Sequence, residues 1–271
     1  MSCGHIALDR VGIKVNKYFA SEIKDIAIKV TKENYPETIH IGDVNKITYK
    51  DGILHTEIGD FETDIDIVMF GSPCQTFSIA MKTDKRIGLE NKEKSGLFLE
   101  CHRILKEVNP TYFLMENVAR MKNSDKDIIT NMMGVEPIRI NSKLVSAQLR
   151  DRYYWTNIKN ITQPKDKGIM LKDIITSGYV NRDKARALLV SDCRPLTTKE
   201  KMIHRYKKFT TLIWEVEGDD DTVRYMNQLE LERCQTVPEG YTKCLNRNDA
   251  ANVLGDGWTV DVIAHIFSYL K

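Results

Sequence analysis

Residues 64–70, Asp-Ile-Asp-Ile-Val-Met-Phe, form an almost continuous apolar run that stops at Gly71-Ser72-Pro73. A short apolar run closed by a turn signal reads as a buried strand. Strands of this kind belong to sheets with helices on both faces. The flanking sequence agrees. From Leu97, the residues Leu97, Cys101, Ile104, Leu105 and Val108 share one helical face, Asn109-Pro110 stops the helix, and 111–115 (TYFLM) reads as the next strand. Upstream, 17–22 (KYFASE) is a short β-prone run, Ile23 to about Tyr35 is helical in pattern, and TIHIGD ends at Asp43. This alternation predicts an α/β fold, a mostly parallel sheet covered by helices.

The chain has 271 residues, enough for one large core and a smaller appendage. Its 40 Lys and Arg nearly balance 38 Asp and Glu, so net charge gives no reason to expect nucleic acid. No run approaches the roughly 18–20 apolar residues of a membrane span, and the first ten residues lack a signal-peptide pattern. Six scattered cysteines with no CxxC pair predict reduced thiols in a cytoplasmic protein and no metal site.

Past Ile158 the strand–helix rhythm is lost. Within 182–208, nine Lys or Arg face three acids, and an acidic run from Glu215 to Asp221 follows. Apolar spacing then recovers, and Val260 to Leu270 reads as a helix returning to the core. The expected organisation is a main α/β domain over 1–158, a small basic insert 159–222, and a return to the main domain over 223–271.

Three segments carry chemistry. Cys74, in Gly71-Ser72-Pro73-Cys74-Gln75, follows the strand 64–70, and reactive groups gather at the carboxyl ends of strands in open α/β sheets. A cysteine there is either a packed small hydrophobe or an oriented nucleophile. Glu116, in Glu116-Asn117-Val118, ends the next strand; neighbouring strands lie about 5 Å apart, so Cys74 and Glu116 can face one pocket. Glu116 is otherwise a surface carboxylate capping the next helix. In Gln148-Leu149-Arg150-Asp151-Arg152, alternation puts Gln148, Arg150 and Arg152 on one side, as donors for phosphates, as braces of a catalytic loop, or as solvated charges on a strand edge.

GSPCQ, MENV and QLRDR, in this order and spacing, resemble the cytosine-C5 DNA methyltransferases. So do 224–235 (RYMNQLELERCQ, with Glu230 and Arg233 in ExxR spacing) and Gly255-Asp256-Gly257-Trp258 leading into TVDVIAHIF. The resemblance covers nearly the whole chain apart from the basic insert. It implies a Rossmann-like class I S-adenosylmethionine-dependent methyltransferase sheet with a small inserted target-recognition region. Cys74 would attack C6 of a flipped cytosine, Glu116 would bind the base near N3, and Arg150 and Arg152, with Gln148, would hold the base and the loop. Glu22 matches the acid on the cofactor's ribose and Asp43, with Val44 beside it, the acid that receives the adenine amine. Ser2, Cys3 and Gly4, and later Gly257 and Trp258, match further cofactor-side positions. The insert would contact double-stranded DNA. The implied partner set is a monomer on DNA with a restriction endonuclease counterpart, in a bacterial or phage setting, with no membrane and no metal.

One departure stands out. The family opens with an apolar strand and a Phe-x-Gly turn, whereas Met1-Ser2-Cys3-Gly4 matches the residues just after that turn. Met1 is therefore expected to be an internal methionine of a longer reading frame. Two other readings stay open on sequence alone: a catalytically silent DNA- or partner-binding remnant, and the same chemistry on RNA.

Overall fold

The computed structural model describes residues 1–72 and 97–270. Pro73, Cys74 and Gln75 of the expected catalytic turn lie outside them.

The chain starts with α1 (Cys3–Arg10), β1 (Phe19–Ala20), α2 (Asp25–Asn34) and β2 (Ile39–His40). β1 and β2 pair in parallel, with Ala20 opposite His40. Three antiparallel strands follow, β3 (Thr48–Lys50), β4 (Ile53–Thr56) and β5 (Gly59–Glu62). The sequence reading does not include this small sheet, although Asp51-Gly52 between β3 and β4 is a strong hairpin signal. Both residues take positive φ, 52° and 80°, as such a turn requires.

The central sheet is built from β6 (Ile67–Phe70), β7 (Tyr112–Val118), β8 (Ile138–Asn141) and β10 (Asp151–Thr156), in the order β6-β7-β10-β8. Helix α3 (Leu97–Val108) connects β6 to β7, α4 (Asn123–Met133) connects β7 to β8, and the short strand β9 (Gln148–Leu149) precedes β10. β6 and β7 are parallel, but β10 runs antiparallel to both β7 and β8. The sheet is thus mixed rather than mostly parallel. The physical reason is connection length: a parallel return needs about a dozen residues of crossover, and 142–150 cannot supply it.

Alternate residues of the sheet feed two cores. Leu114, Ile140 and Tyr154 join the large cluster with α1, α6, α7 and α8, while Met115 and Trp155 face Phe98, Leu105, Ile129 and Met133 from α3 and α4. Trp155 is fully buried, its indole N–H donating to Thr130 Oγ1 at 3.0 Å. Among the described residues no ladder joins β1–β2 to the free edge of β6. Side chains from both pieces nevertheless pack together: Tyr18, Ile67 and Met69 lie in one cluster, Phe19 and Ile65 in another.

The remaining elements are β11 (Ala185–Arg186), α5 (Lys199–Tyr206), β12 (Leu212–Trp214), β13 (Val223–Tyr225), α6 (Gln228–Gln235), α7 (Arg247–Asp256) and α8 (Val260–Phe267). α8 is apolar nearly all round, and such a helix is stable only when buried; its residues from Val262 to Ala264, and Ile266 and Phe267, are in the core. Within the expected insert, Ile161, Leu171, Ile174, Ala185 and Leu188 pack on the large cluster. Met202, Tyr206, Leu212, Trp214 and Val223 form a separate small core of their own.

Candidate active site

β6 ends at Phe70, opposite Met115 of β7. The next residue, Gly71, therefore comes level with Glu116. A Cβ at Gly71 would stand 3.0 Å from Trp258 Nε1 and 3.3 Å from Glu116 Oε2. Glycine lets the backbone pass between an indole and a carboxylate without crowding either. Ser72 is buried, and its hydroxyl accepts from Asn117 Nδ2 at 3.2 Å. Gly71 and Ser72, the last described residues before position 73, thus lie against Glu116, Asn117 and Trp258.

Glu116 lies within β7 and is only 8% exposed, which rules out a surface carboxylate capping a helix. Arg152 donates through Nε to Glu116 Oε1 at 2.6 Å. In the ladder, Glu116 is opposite Tyr154 and Arg152 opposite Val118, so the two are diagonal neighbours on one face. Arg152 Nη1 also donates to the Asp151 carbonyl, at 2.9 Å, which fixes the guanidinium. A carboxylate so oriented can accept from an amide-like N–H or share a proton with a ring nitrogen.

Of the alternatives open for Gln148 and Arg150, their contacts match bracing rather than phosphate binding or solvated charge. Arg150 is buried and donates to the carbonyls of Gly257 at 2.8 Å, Gly255 at 3.3 Å and Leu188 at 3.4 Å. Gln148 Nε2 donates to the Cys234 carbonyl at 2.7 Å and to Gln235 Oε1 at 2.8 Å, and Gln148 Oε1 accepts from Leu188 N at 3.2 Å. Buried donors must find acceptors, and here the protein supplies them. Both side chains brace the frame around the site.

Gln235, Thr259 and Ser142 complete this network and escape the sequence reading. Gln235 Nε2 donates to the carbonyls of Leu254 at 2.5 Å and Gly257 at 3.2 Å, while Thr259 donates to Gln235 Oε1 and Ser142 to Thr259, each at 2.9 Å. The available signal was helical: Leu231, Cys234 and Gln235 share one face of α6, so Gln235 had to be buried and paired. Glu230 and Arg233, in ExxR spacing, turn to different partners. Glu230 binds Arg224 at 2.8 Å, and Arg233 binds Glu239 at 2.7 Å.

The expected cofactor residues fall into two groups. Glu22 and Asp43 follow the adjacent parallel strands β1 and β2, and Ser21 Oγ donates to the Gly42 carbonyl at 2.8 Å between them. Glu22 Oε1 accepts from the amides of Ile23 and Lys24, both at 2.9 Å, and Asp43 Oδ1 accepts from Asn45 N at 3.0 Å at the start of the turn Val44–Lys46. Ile23, directly after Glu22, is an apolar side chain left 73% exposed at this rim. The second group meets on the other side. Ser2, Cys3 and Gly4 are buried at the start of α1, and Cys3 Sγ would be 3.3 Å from a Cβ at Gly257. Gly4 is pressed against Met69 and the Tyr18 hydroxyl. Lys24 links the groups, reaching Asp256 at 2.5 Å and Asn252 at 2.6 Å.

Four of the nine Lys and Arg within 182–208 are held within the protein. Arg182 donates to Tyr206 and Thr210, Lys184 to the carbonyls of Lys143, Ser146 and Ile169, Lys199 to that of Val223, and Arg205 to Ser191 and Asp192. Arg186, Arg194, Lys201, Lys207 and Lys208 are exposed. Burial raises the thiols of Cys3, Cys101 and Cys234, the last two to about 12, so none of these three is poised as a nucleophile. Among the described residues no group of His, Cys, Asp and Glu could hold a metal ion, and no helix is long and apolar enough to cross a membrane.

Residues 2–173 match the family described as C-5 cytosine-specific DNA methylase. The chain belongs to that family. Its relatives include the Type II methyltransferase M.NgoBV of Neisseria gonorrhoeae, 40% identical over 116 residues that make up 43% of this chain and 24% of that protein. The orphan methyltransferase M.Rho11sI of Bacillus phage rho11s is 30% identical over 187 residues, 64% of this chain and 34% of that protein. The chain thus matches only a quarter to a third of the length of such relatives. Among solved structures, the Entamoeba histolytica methyltransferase EhMeth has the same fold, with TM-score 0.71 and 17% identity over 99% of this chain and 94% of that one. The S. pombe Dnmt2 methyltransferase matches with TM-score 0.68 and 16% identity, over the same shares. This family member therefore has the Rossmann-like class I methyltransferase fold, with a mixed sheet.

Proposed function

We propose that the chain methylates C5 of cytosine in DNA, with S-adenosylmethionine as methyl donor. The observation that carries this reading is the convergence at Gly71, three residues before Cys74 in the sequence, where Glu116, paired with Arg152, meets Trp258. The Cys74 thiolate adds to C6 of the cytosine, and the electron pair of the 5,6 double bond moves toward C5 as Glu116 supports protonation at N3. Arg152 keeps Glu116 in place, while Gln148 and Arg150 hold the surrounding frame. When bound, S-adenosylmethionine supplies the electrophilic methyl group. Loss of the C5 proton then expels the Cys74 thiolate and restores the ring. Because C5 and C6 are stacked inside a duplex, the nucleotide must first be flipped out, at a cost of a few kcal/mol.

The residues fit the cofactor. Two acids, Glu22 and Asp43, end neighbouring parallel strands, where a ribose and an adenine amine need acceptors, and the space that a Cβ at Gly71 would fill lies against Trp258. Ser2, Cys3, Gly4, Val44 and Gly257 would shape the backbone around it. In this reading 1–158 and 223–271 form the catalytic region, 159–222 contributes DNA recognition, and a single copy acts on duplex DNA. A restriction endonuclease counterpart belongs to the same proposal.

A second reading, DNA binding without transfer, is favoured by the absence of a ladder between β1–β2 and β6 among the described residues. Transfer of labelled methyl groups from S-adenosylmethionine to duplex DNA separates the two, with Cys74→Ser as control and transfer RNA as an alternative acceptor. Transfer that requires Cys74, together with trapping on 5-fluorocytosine DNA, is the expected result. Binding to duplex DNA with no transfer supports the second reading, and transfer confined to RNA changes the substrate.

A further inference from the structure

We infer that the DNA backbone runs along a basic ledge formed by residues 182–186 and 208–211, with Arg186 on a phosphate beside the nucleotide that enters the site. This rests on the DNA reading above and deepens it by naming the face and the residues.

The two segments lie side by side. Arg182 Nη1 donates to the Thr210 carbonyl at 3.1 Å, and Arg186 N donates to Thr211 Oγ1 at 2.9 Å. Arg186, Lys208 and Phe209 are exposed along this line, Phe209 by 44%. Behind them Arg182 stacks on the Tyr206 ring, 3.6 Å from its centroid. Among the described residues, none of Arg182, Arg186 and Lys208 has a carboxylate within ion-pair distance. Burial lowers the Arg182 pKa, and the nearby Arg186 charge adds to that. Asp183, exposed in the same segment, makes no ion pair with them, so the line keeps a surplus of positive charge on an open surface with an aromatic beside it, which suits a polyanion.

The ledge also abuts the catalytic residues. Arg186 pairs in parallel with Leu149, the residue before Arg150, and β10 begins two residues later with Asp151 and then Arg152, which grips Glu116. Leu149 is 38% exposed, so the ledge continues as an apolar step toward the site.

The opposite edge of the small module has the reverse character. The turn 215–221 between β12 and β13 contains Glu215, Glu217, Asp219, Asp220 and Asp221, all exposed. There Lys199, His204 and Lys207 line a cleft together with Glu200, Asp220 and Asp221. There the lysines share their surface with a cluster of acids, which repel phosphate. The polarity of the module therefore selects one face.

Fluorescence anisotropy of a labelled duplex with the full chain, titrated between about 50 and 200 mM salt, tests this. Arg186→Gln and Lys208→Gln should each weaken binding several-fold on every duplex sequence and lower the slope of log K against log salt by about one. Lys207→Gln, on the acidic edge, should leave the slope unchanged. An unaltered slope in both ledge variants, or a reduced slope in Lys207→Gln, overturns the ledge while leaving the DNA reading intact. Failure of the wild-type chain to bind any duplex overturns the DNA reading itself. Arg186 and Lys208 are exposed, so circular dichroism should show both variants folded.

Discussion

Glu116 and Arg152 face each other diagonally across the β7–β10 ladder, Oε1 to Nε 2.6 Å, with their side chains only 11% and 12% exposed. Removing one member of such a pair leaves the other charged and poorly hydrated. Arg152→Met should lower stability by about 3 kcal/mol, whereas Glu116→Gln, which keeps an acceptor for Arg152, should cost less. Urea denaturation of both variants checks the order; a larger loss in Glu116→Gln would contradict it.

Gly71 sits where a side chain would crowd its neighbours. Adding one methyl group puts a carbon 3.0 Å from Trp258 Nε1 and 3.3 Å from Glu116 Oε2. Gly71→Ala should reduce methyl transfer, by less than the roughly hundredfold that a 1 Å misplacement of reacting groups costs, since its neighbours need give only a fraction of that distance. The fold should survive, since Gly71 is exposed. Activity assays beside thermal melts separate these effects, and full activity would rule out the close approach.

Glu230 supplies a pH dependence. Burial pushes its pKa up, but hydrogen bonds from Arg224 and from the amides of Thr176 and Asn227, with the Arg224 charge, outweigh burial and lower it overall. A depressed carboxyl stabilises the fold above its unfolded pKa, about 4.3. That contribution disappears as pH falls through the lower folded value. Glu230→Gln should therefore be less stable than wild type at neutral pH and should lose less stability on acidification below about pH 4. Urea midpoints across this range give the answer; parallel acid limbs for the two proteins would refute it.

Gln148 and Gln235 act as one unit. Gln235 joins α6 to the carbonyls of Leu254 and Gly257, and Gln148 joins β9 to Gln235. Each single change to Leu should cost about 1–3 kcal/mol, because buried partners lose their hydrogen bonds. The double variant should cost less than the sum, with a coupling of at least about 0.5 kcal/mol. Strict additivity in a double-mutant cycle would show that the two amides are independent.

Much of the architecture was open to a reader of the chain. Apolar runs and stop signals located β6, α3, β7 and α8, because burial against helices demands those side chains regardless of context. The family motifs placed Glu116, Arg152, Glu22 and Asp43, and the fold carries Glu116 to Arg152 and sets Glu22 and Asp43 on adjacent strand ends. The hairpin at Asp51-Gly52 is legible in its turn chemistry alone, because its strands are short and half-exposed and carry little apolar pattern.

Other properties depend on chain segments far apart in sequence. That β10 enters the sheet antiparallel follows from the short path out of β8, and that Arg150 serves Gly257 rather than a phosphate follows from where α7 ends. The insert shows the division most clearly: residue counts establish its surplus of Lys and Arg, but packing decides that Arg182 and Lys184 turn inward while Arg186 and Lys208 face solvent. Apolar pattern is a local signal, whereas the partner of a charged or amide group is whichever acceptor folding brings within reach.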